Sequence, residues 1–356
     1  MRLKVLQSVK LKTLASLAMG MSLAGCAIAS QRPEATETVV TEPPAIAQNL
    51  PEVVATTSVI CDLTRQLAAE TINLNCLVAA GEDPHLYQPL PEDRKAIDRA
   101  NLILYGGYDF EPSLIRLVKA TKNQAPKIAV HEAAVPNPII GQPHAHGNHE
   151  EQEKEEHDHE KTEKHSAGET APDPHVWHNA ENGIRMVAVI SEALKNLSPS
   201  HTSLYESNAA KIKNELTQIH RWIGESIATI PPAQRQLVTT HDALGYYVQA
   251  YGLKFEGALS GLSTEEAPTA SRIGELVQQI KSARVPTIFA ESSVNPRLIE
   301  QVAKEANVKV SEKKLYADGL GKAGTQAGTY QKMLKLNTEA IVQGLGGQDQ
   351  AFQLKQ

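Results

Sequence analysis

Residues 51–87 read PEVVATTSVICDLTRQLAAETINLNCLVAAGEDPHLY, a strand-helix-strand pattern that ends on a histidine. Val53-Val54-Ala55 leads into Thr56-Thr57-Ser58, so 51–57 is predicted as a buried strand, with a helix over about 61–70 and a second strand over 72–79. That second strand delivers the chain to Asp83-Pro84-His85. In parallel sheets the ligand loops sit at the carboxyl ends of strands, and His85 falls at such an end. Proline fixes its own φ and biases the residue before it toward extended backbone, so the tripeptide presents its imidazole at a defined angle.

The same tripeptide returns as Asp173-Pro174-His175 in the stretch A-P-D-P-H-V-W-H-N of residues 171–179. Two rigidly presented imidazoles suit one first-row metal ion, and the neighbouring aspartate can orient the second ring nitrogen. Further strands are expected over 102–105 and 127–130 and helices over 91–100 and 180–197. Apolar residues then recur at Leu204, Ile212, Leu216, Ile219, Ile223 and Ile227, one stripe of a helix over 201–229. A helix of about 28 residues is about 42 Å long, enough to run across two domains.

The rest of the chain repeats the outline of the first part. Strands are expected over 236–240, 255–259, 287–290 and 308–310, with helices over 244–251, 270–282 and 296–306. The fold class is therefore α/β, two similar lobes with parallel sheets joined by one long rigid helix. The boundaries are 51–197 for the N-terminal lobe, 198–230 for the linking helix and 231–350 for the C-terminal lobe.

Residues 1–25 form a leader rather than fold. Arg2, Lys4, Lys10 and Lys12 precede an apolar run over 14–24 that is too short to span as a mature helix. The run ends in Leu23-Ala24-Gly25-Cys26, which resembles a bacterial lipobox, with Cys26 as the lipid-modified first residue of the mature chain. Residues 26–50, rich in Pro, Thr, Glu and Ala, read as a flexible tether. Of 35 basic residues the leader removes four, leaving 31 against 41 acidic ones and a net charge of −10. Such a surface argues against nucleic acid and is compatible with collecting cations. Cys61 and Cys76 also remain; they either pair outside the cytoplasm or stay as two buried thiols, and spacing leaves both open.

Between residues 141 and 170 the composition changes. His144, His146, His149, His157, His159 and His165 stand among nine acidic residues and three lysines, without Val, Leu, Ile or an aromatic side chain. Such a segment cannot bury a core, so a disordered surface loop is expected, capturing metal weakly at several points. Its deletion is expected to spare the tight site.

With both Asp-Pro-His turns, Thr240-His241-Asp242-Ala243-Leu244-Gly245-Tyr246-Tyr247, Phe289-Ala290-Glu291-Ser292-Ser293 and Ala317-Asp318-Gly319-Leu320-Gly321 in view, the chain resembles a known family. It is similar to the metal-binding lipoproteins that serve zinc and manganese ABC importers, over about residues 51–345. The resemblance implies one metal ion in a cleft between the lobes, held by His85, His175, His241 and Asp318. His241 stands where manganese relatives usually carry glutamate. Three imidazoles and one carboxylate suit tetrahedral Zn²⁺, while a bidentate Asp318 could admit Mn²⁺ instead. Glu291 is expected to orient His241 or His85, or else to anchor a helix N-terminus. His178 reads as a supporting or surface residue, and His131, His201 and His220 as satisfied polar residues.

The expected protein is a monomeric, lipid-anchored binding component outside the inner membrane that hands zinc to a membrane permease, and not an enzyme. Alternatives are a manganese or mixed-metal binder, a metal-dependent adhesin, and a zinc hydrolase. The last would need an open zinc position and a general base, and no His-Glu-x-x-His motif is present.

Overall fold

Val53, Val54 and Ala55 are wholly buried, as a strand covered by helices on both faces must be. The structure is a computed structural model that describes residues 50–141, 171–265 and 267–354. The leader, Cys26, the tether up to residue 49 and the six histidines of the 141–170 segment lie outside the described residues.

In the N-terminal lobe β1 (Glu52–Ala55) is flanked by β2 (Asn73–Cys76) and β3 (Leu102–Tyr105), and β4 (Lys127–Ala129) follows at the edge. The four strands are parallel in the order β2-β1-β3-β4. Helices α1 (Ser58–Ala68), α2 (Pro91–Arg99), α3 (Pro112–Ala120) and α4 (Val130–Ala134) connect and follow them. Helix α5 (Ala180–Leu197) begins at Asn179, whose side chain accepts the Glu181 N–H as an N-cap. Cys61 in α1 and Cys76 at the end of β2 are disulfide-bonded, their Cα atoms 5.7 Å apart, within ordinary disulfide reach.

The long helix is α6 (Thr202–Ala228), 27 residues and so about 40 Å. Its buried stripe runs Tyr205, Ala209, Ile212, Leu216, Ile219, Ile223 and Ile227. Leu204, assigned to that stripe by periodicity, is instead 37% exposed; Tyr205 takes the buried place, its hydroxyl 2.8 Å from that of Thr71. Helix α6 packs against α1, α5 and α10 (Tyr330–Gly344).

The C-terminal lobe carries β5 (Gln236–His241), α7 (Gly245–Tyr251), β6 (Lys254–Ser260), α8 (Ala270–Ala283), β7 (Thr287–Ile288), α9 (Arg297–Ala306) and β8 (Lys309–Val310). Its strands form two parallel pairs, β5-β6 and β7-β8. The Phe289 N–H donates to the Val238 carbonyl at 3.0 Å, which places β7 beside β5 and echoes the order of the first sheet. Strand β7 is two residues long where the sequence suggested four: its pairing is interrupted after Ile288 and resumes only as a single parallel bridge between Glu291 and Leu315.

One apolar cluster crosses both lobes, from Val53 and Leu63 through Ile190, Leu216 and Ile223 to Tyr247 and Leu334. Residues 49–356 accordingly cluster as one unit. Ile140 and Pro172 form an antiparallel bridge, and the Gly141 N–H donates to the Ala171 carbonyl at 2.8 Å. The chain thus departs toward residue 142 and returns from residue 170 at adjacent points.

Candidate metal centre

The turn that carries each Asp-Pro-His histidine is closed by the aspartate itself. Asp83 Oδ1 accepts the His85 N–H at 3.0 Å and Asp173 Oδ1 accepts the His175 N–H at 2.9 Å, the Asx turn that a short acidic side chain favours. His85 lies in the loop between β2 and α2, and His175 precedes a single 3₁₀ turn, Val176–His178. His241 is the last residue of β5, and Asp318 lies in the loop between β8 and α10.

These four side chains converge. One ligand atom from each lies within 4.8 Å of every other, and they form the one such cluster among the described residues. All are at most 3% exposed. The Nε2 atoms of His85 and His175 are 3.3 Å apart. Asp318 Oδ1 lies 3.6, 3.5 and 3.0 Å from the Nε2 atoms of His85, His175 and His241. A tetrahedral ion with bonds of about 2.0–2.1 Å sets its donors about 3.3–3.4 Å apart, in the middle of that spread. Buried lone pairs that converge on one point repel each other unless a cation lies between them. Among the described residues neither His241 Nε2 nor Asp318 Oδ1 has a hydrogen-bond partner, the condition expected of groups whose partner is an ion.

The braces behind the donors differ. His175 donates from Nδ1 to Asp173 Oδ1 at 2.9 Å, and His241 donates from Nδ1 to Glu291 Oε2 at 2.5 Å. Each bond fixes the tautomer that turns a lone pair on Nε2 toward the centre. Glu291 Oε1 also accepts the N–H groups of Thr240 and His241, both at 2.9 Å. Glu291 therefore contacts both the backbone and the ring of His241. Asp318 Oδ2 accepts the Ser293 hydroxyl at 2.7 Å. Among the described residues no hydrogen bond reaches Nδ1 of His85, whose ring rests edge-on against Phe110 with centroids 5.0 Å apart.

Burial alone would strip charge from every group here, and the carboxylates decide where that tendency is reversed. His85 is lowered by burial, which its neighbour Asp318 only partly offsets. His241 is raised well above its ordinary value, because Asp318 and Glu291 outweigh the cost of burying its charge. His175 is raised by Asp173 and Asp318 against the same cost. Asp318 is also buried, yet the surrounding imidazoles hold it well below the usual carboxylate range. The arrangement is a dry, preformed cage for a dication that must displace protons from imidazole to enter.

Of the two readings of His178 the structure matches the supporting one: it is wholly buried, and its Nε2 donates to the Ala317 carbonyl at 2.8 Å, tying the Asp318 loop to the His175 loop. His131 departs from expectation: it is buried, and among the described residues neither ring nitrogen has a hydrogen-bond partner; burial pushes it down to about 3 and it is neutral. Ser293 stands in the quoted stretch around Glu291, yet the sequence assigns it no role, since a serine after a strand carries no chemical signature of its own. His201 contacts Ser200 and His220 contacts Tyr251.

Residues 53–344 match the family of the periplasmic zinc-uptake complex component A. The chain is 30% identical over 331 residues to the metal ABC transporter substrate-binding lipoprotein ScbA of Streptococcus cristatus, covering 91% of this chain and 96% of that one. It is also 30% identical over 301 residues to the manganese ABC transporter substrate-binding lipoprotein PsaA of Streptococcus pneumoniae, covering 83% and 89%. Among solved structures it is similar to the periplasmic zinc-binding protein TroA of Treponema pallidum, with a TM-score of 0.72 and 28% identity over 83% of this chain and 99% of that one.

Proposed function

This chain belongs to the zinc-uptake complex component A family, and from that membership we infer that it captures Zn²⁺ outside the inner membrane and delivers it to the permease of an ABC importer. The observation that carries the reading is the buried set His85, His175, His241 and Asp318, whose donor atoms face one point. Three imidazoles with one carboxylate favour zinc, and the Irving–Williams order places Zn²⁺ above Mn²⁺ for the same donors. A catalytic zinc would keep its fourth position for water; here Asp318 Oδ1 stands within 3.6 Å of all three imidazoles, which supports binding over hydrolysis. Manganese is the second reading, favoured by relatives such as PsaA that are named for it.

The chain reads as a leader over 1–25, lipidation at Cys26, a tether to residue 50, lobes over 51–197 and 231–350, and a linking helix over 198–230. Among the described residues no helix is long and apolar enough to cross a membrane; what supports attachment through a lipid on Cys26 is the stretch Leu23-Ala24-Gly25-Cys26. The six histidines from His144 to His165 capture additional metal weakly at several points. A competition titration of the metal-stripped protein with Zn²⁺ and Mn²⁺, read by metal analysis and thermal shift, tests the assignment. One tight Zn²⁺ that Mn²⁺ does not displace is the expected result, and preferential Mn²⁺ binding would replace zinc with manganese.

A further inference from the structure

We propose that the hydrogen bond from Thr264 to Asp83 is the latch that sets the rate of metal release, and that His85 is the first donor to let go. The proposal rests on the metal-binding reading above and adds an order of events to it. Three donors are braced by side chains behind them: His175 by Asp173, His241 by Glu291 and Asp318 by Ser293. His85 has no such brace among the described residues, and its position depends on the turn that carries it.

That turn is also the shallowest of the ligand turns. Leu86, next to His85, is 50% exposed, whereas Val176, which follows His175, is wholly buried and Asp242, which follows His241, is half-buried. The two Asx turns differ in what holds the second carboxylate oxygen. Asp173 Oδ2 lies so close to Gly245 that a Cβ there would come within 2.8 Å of it, and Asp173 Oδ1 also holds the His175 ring. Asp83 Oδ2 is held by the Thr264 hydroxyl at 2.7 Å, from the loop that follows β6 in the opposite lobe. Thr264 is partly exposed, so water can take its place at Asp83. Once it does, the His85 turn loses its hydrogen bond to the other lobe while the braces behind the remaining three donors stay in place.

The test compares the mature wild-type chain with Thr264→Val, which removes the hydroxyl at nearly constant shape, and Thr264→Ser, which keeps it. Each is loaded with Zn²⁺ alone, and the dissociation rate into excess chelator, the association rate and the metal-free melting temperature are measured. Loss of a hydrogen bond to a carboxylate predicts dissociation roughly tenfold faster in Thr264→Val, with Thr264→Ser within about twofold of wild type. Association and metal-free melting should be unchanged in both. A wild-type dissociation rate in Thr264→Val would overturn the latch and leave the metal-binding reading intact. Equal acceleration in both variants, or a lowered metal-free melting temperature, would also overturn it, since the hydroxyl would then not be the cause. A wild-type protein that holds no zinc would overturn the proposed function and the latch with it.

Discussion

Glu111 is a buried carboxylate that the metal centre does not use. Its Oε1 accepts the Thr56 hydroxyl at 2.7 Å and the Gly106 N–H at 2.6 Å, joining the ends of β1 and β3, while Oε2 has no partner among the described residues. Burial pushes its carboxyl up to about 7, from an ordinary 4.5. An acid raised in this way binds its proton more tightly folded than unfolded. Its contribution to stability is full below 4.5 and is lost as the pH rises to about 7, on the order of 3 kcal/mol. Glu111→Gln keeps an acceptor for Thr56 and Gly106 and cannot titrate. Between about pH 5 and pH 8 its metal-free urea midpoint should therefore fall less than that of wild type; equal falls would refute the assignment. Legibility at this scale followed chemistry. His85 and His175 could be read because the tripeptide repeats, whereas His241 and Asp318 needed the family resemblance, since neither stands in a motif with a physical signature of its own. Glu111 could not be read at all, because a glutamate before a proline looks like an ordinary helix start.

Helices α5 and α10 meet where α5 has no side chain. A Cβ on Gly183 would press into the Tyr330 ring and hydroxyl, and that hydroxyl donates to the Trp177 carbonyl at 2.5 Å, two residues from His175. Helix propensity alone would favour Gly183→Ala by about 1 kcal/mol. Overpacking should reverse the sign and destabilise the protein by roughly 1–3 kcal/mol. Chemical denaturation of the metal-free protein checks this, and a stabilised variant would show that Tyr330 can move aside. Most elements were legible from periodicity, including α5 over its full length and α6 to within a residue at each end. Helix α10 was not, because its buried face carries Asn337 and Thr338. Asn337 is satisfied by the backbone of Tyr316, and Thr338 by the Leu334 carbonyl and the Tyr247 hydroxyl. Such a face looks polar until its partners are known. Helix α3 was missed although Pro112 at its start and Leu114, Ile115 and Val118 on its buried face were available as signals.

The apolar cluster shared by both lobes and the 27-residue α6 behind them leave little freedom for one lobe to rotate against the other. Small-angle scattering of the metal-free and zinc-loaded protein should give radii of gyration that agree within about 1 Å; a change of several ångströms would mean that the helix bends or the shared core opens. The two-lobed plan was visible in the sequence because strand and helix patterns recur in the same order, but the pairing of β5 with β7 through one ladder bond was not, since strands of two residues carry no periodicity. The antiparallel bridge between Ile140 and Pro172 bears on engineering. Because it clamps the two ends of an insertion side by side, the length of what lies between them is nearly decoupled from the frame; doubling a flexible segment costs only about 0.6 kcal/mol in closure entropy. Foreign sequence, such as a reporter domain whose own termini lie close together, can be grafted at this point with Asp173 still held to Ile139 and His175 still held to Asp173.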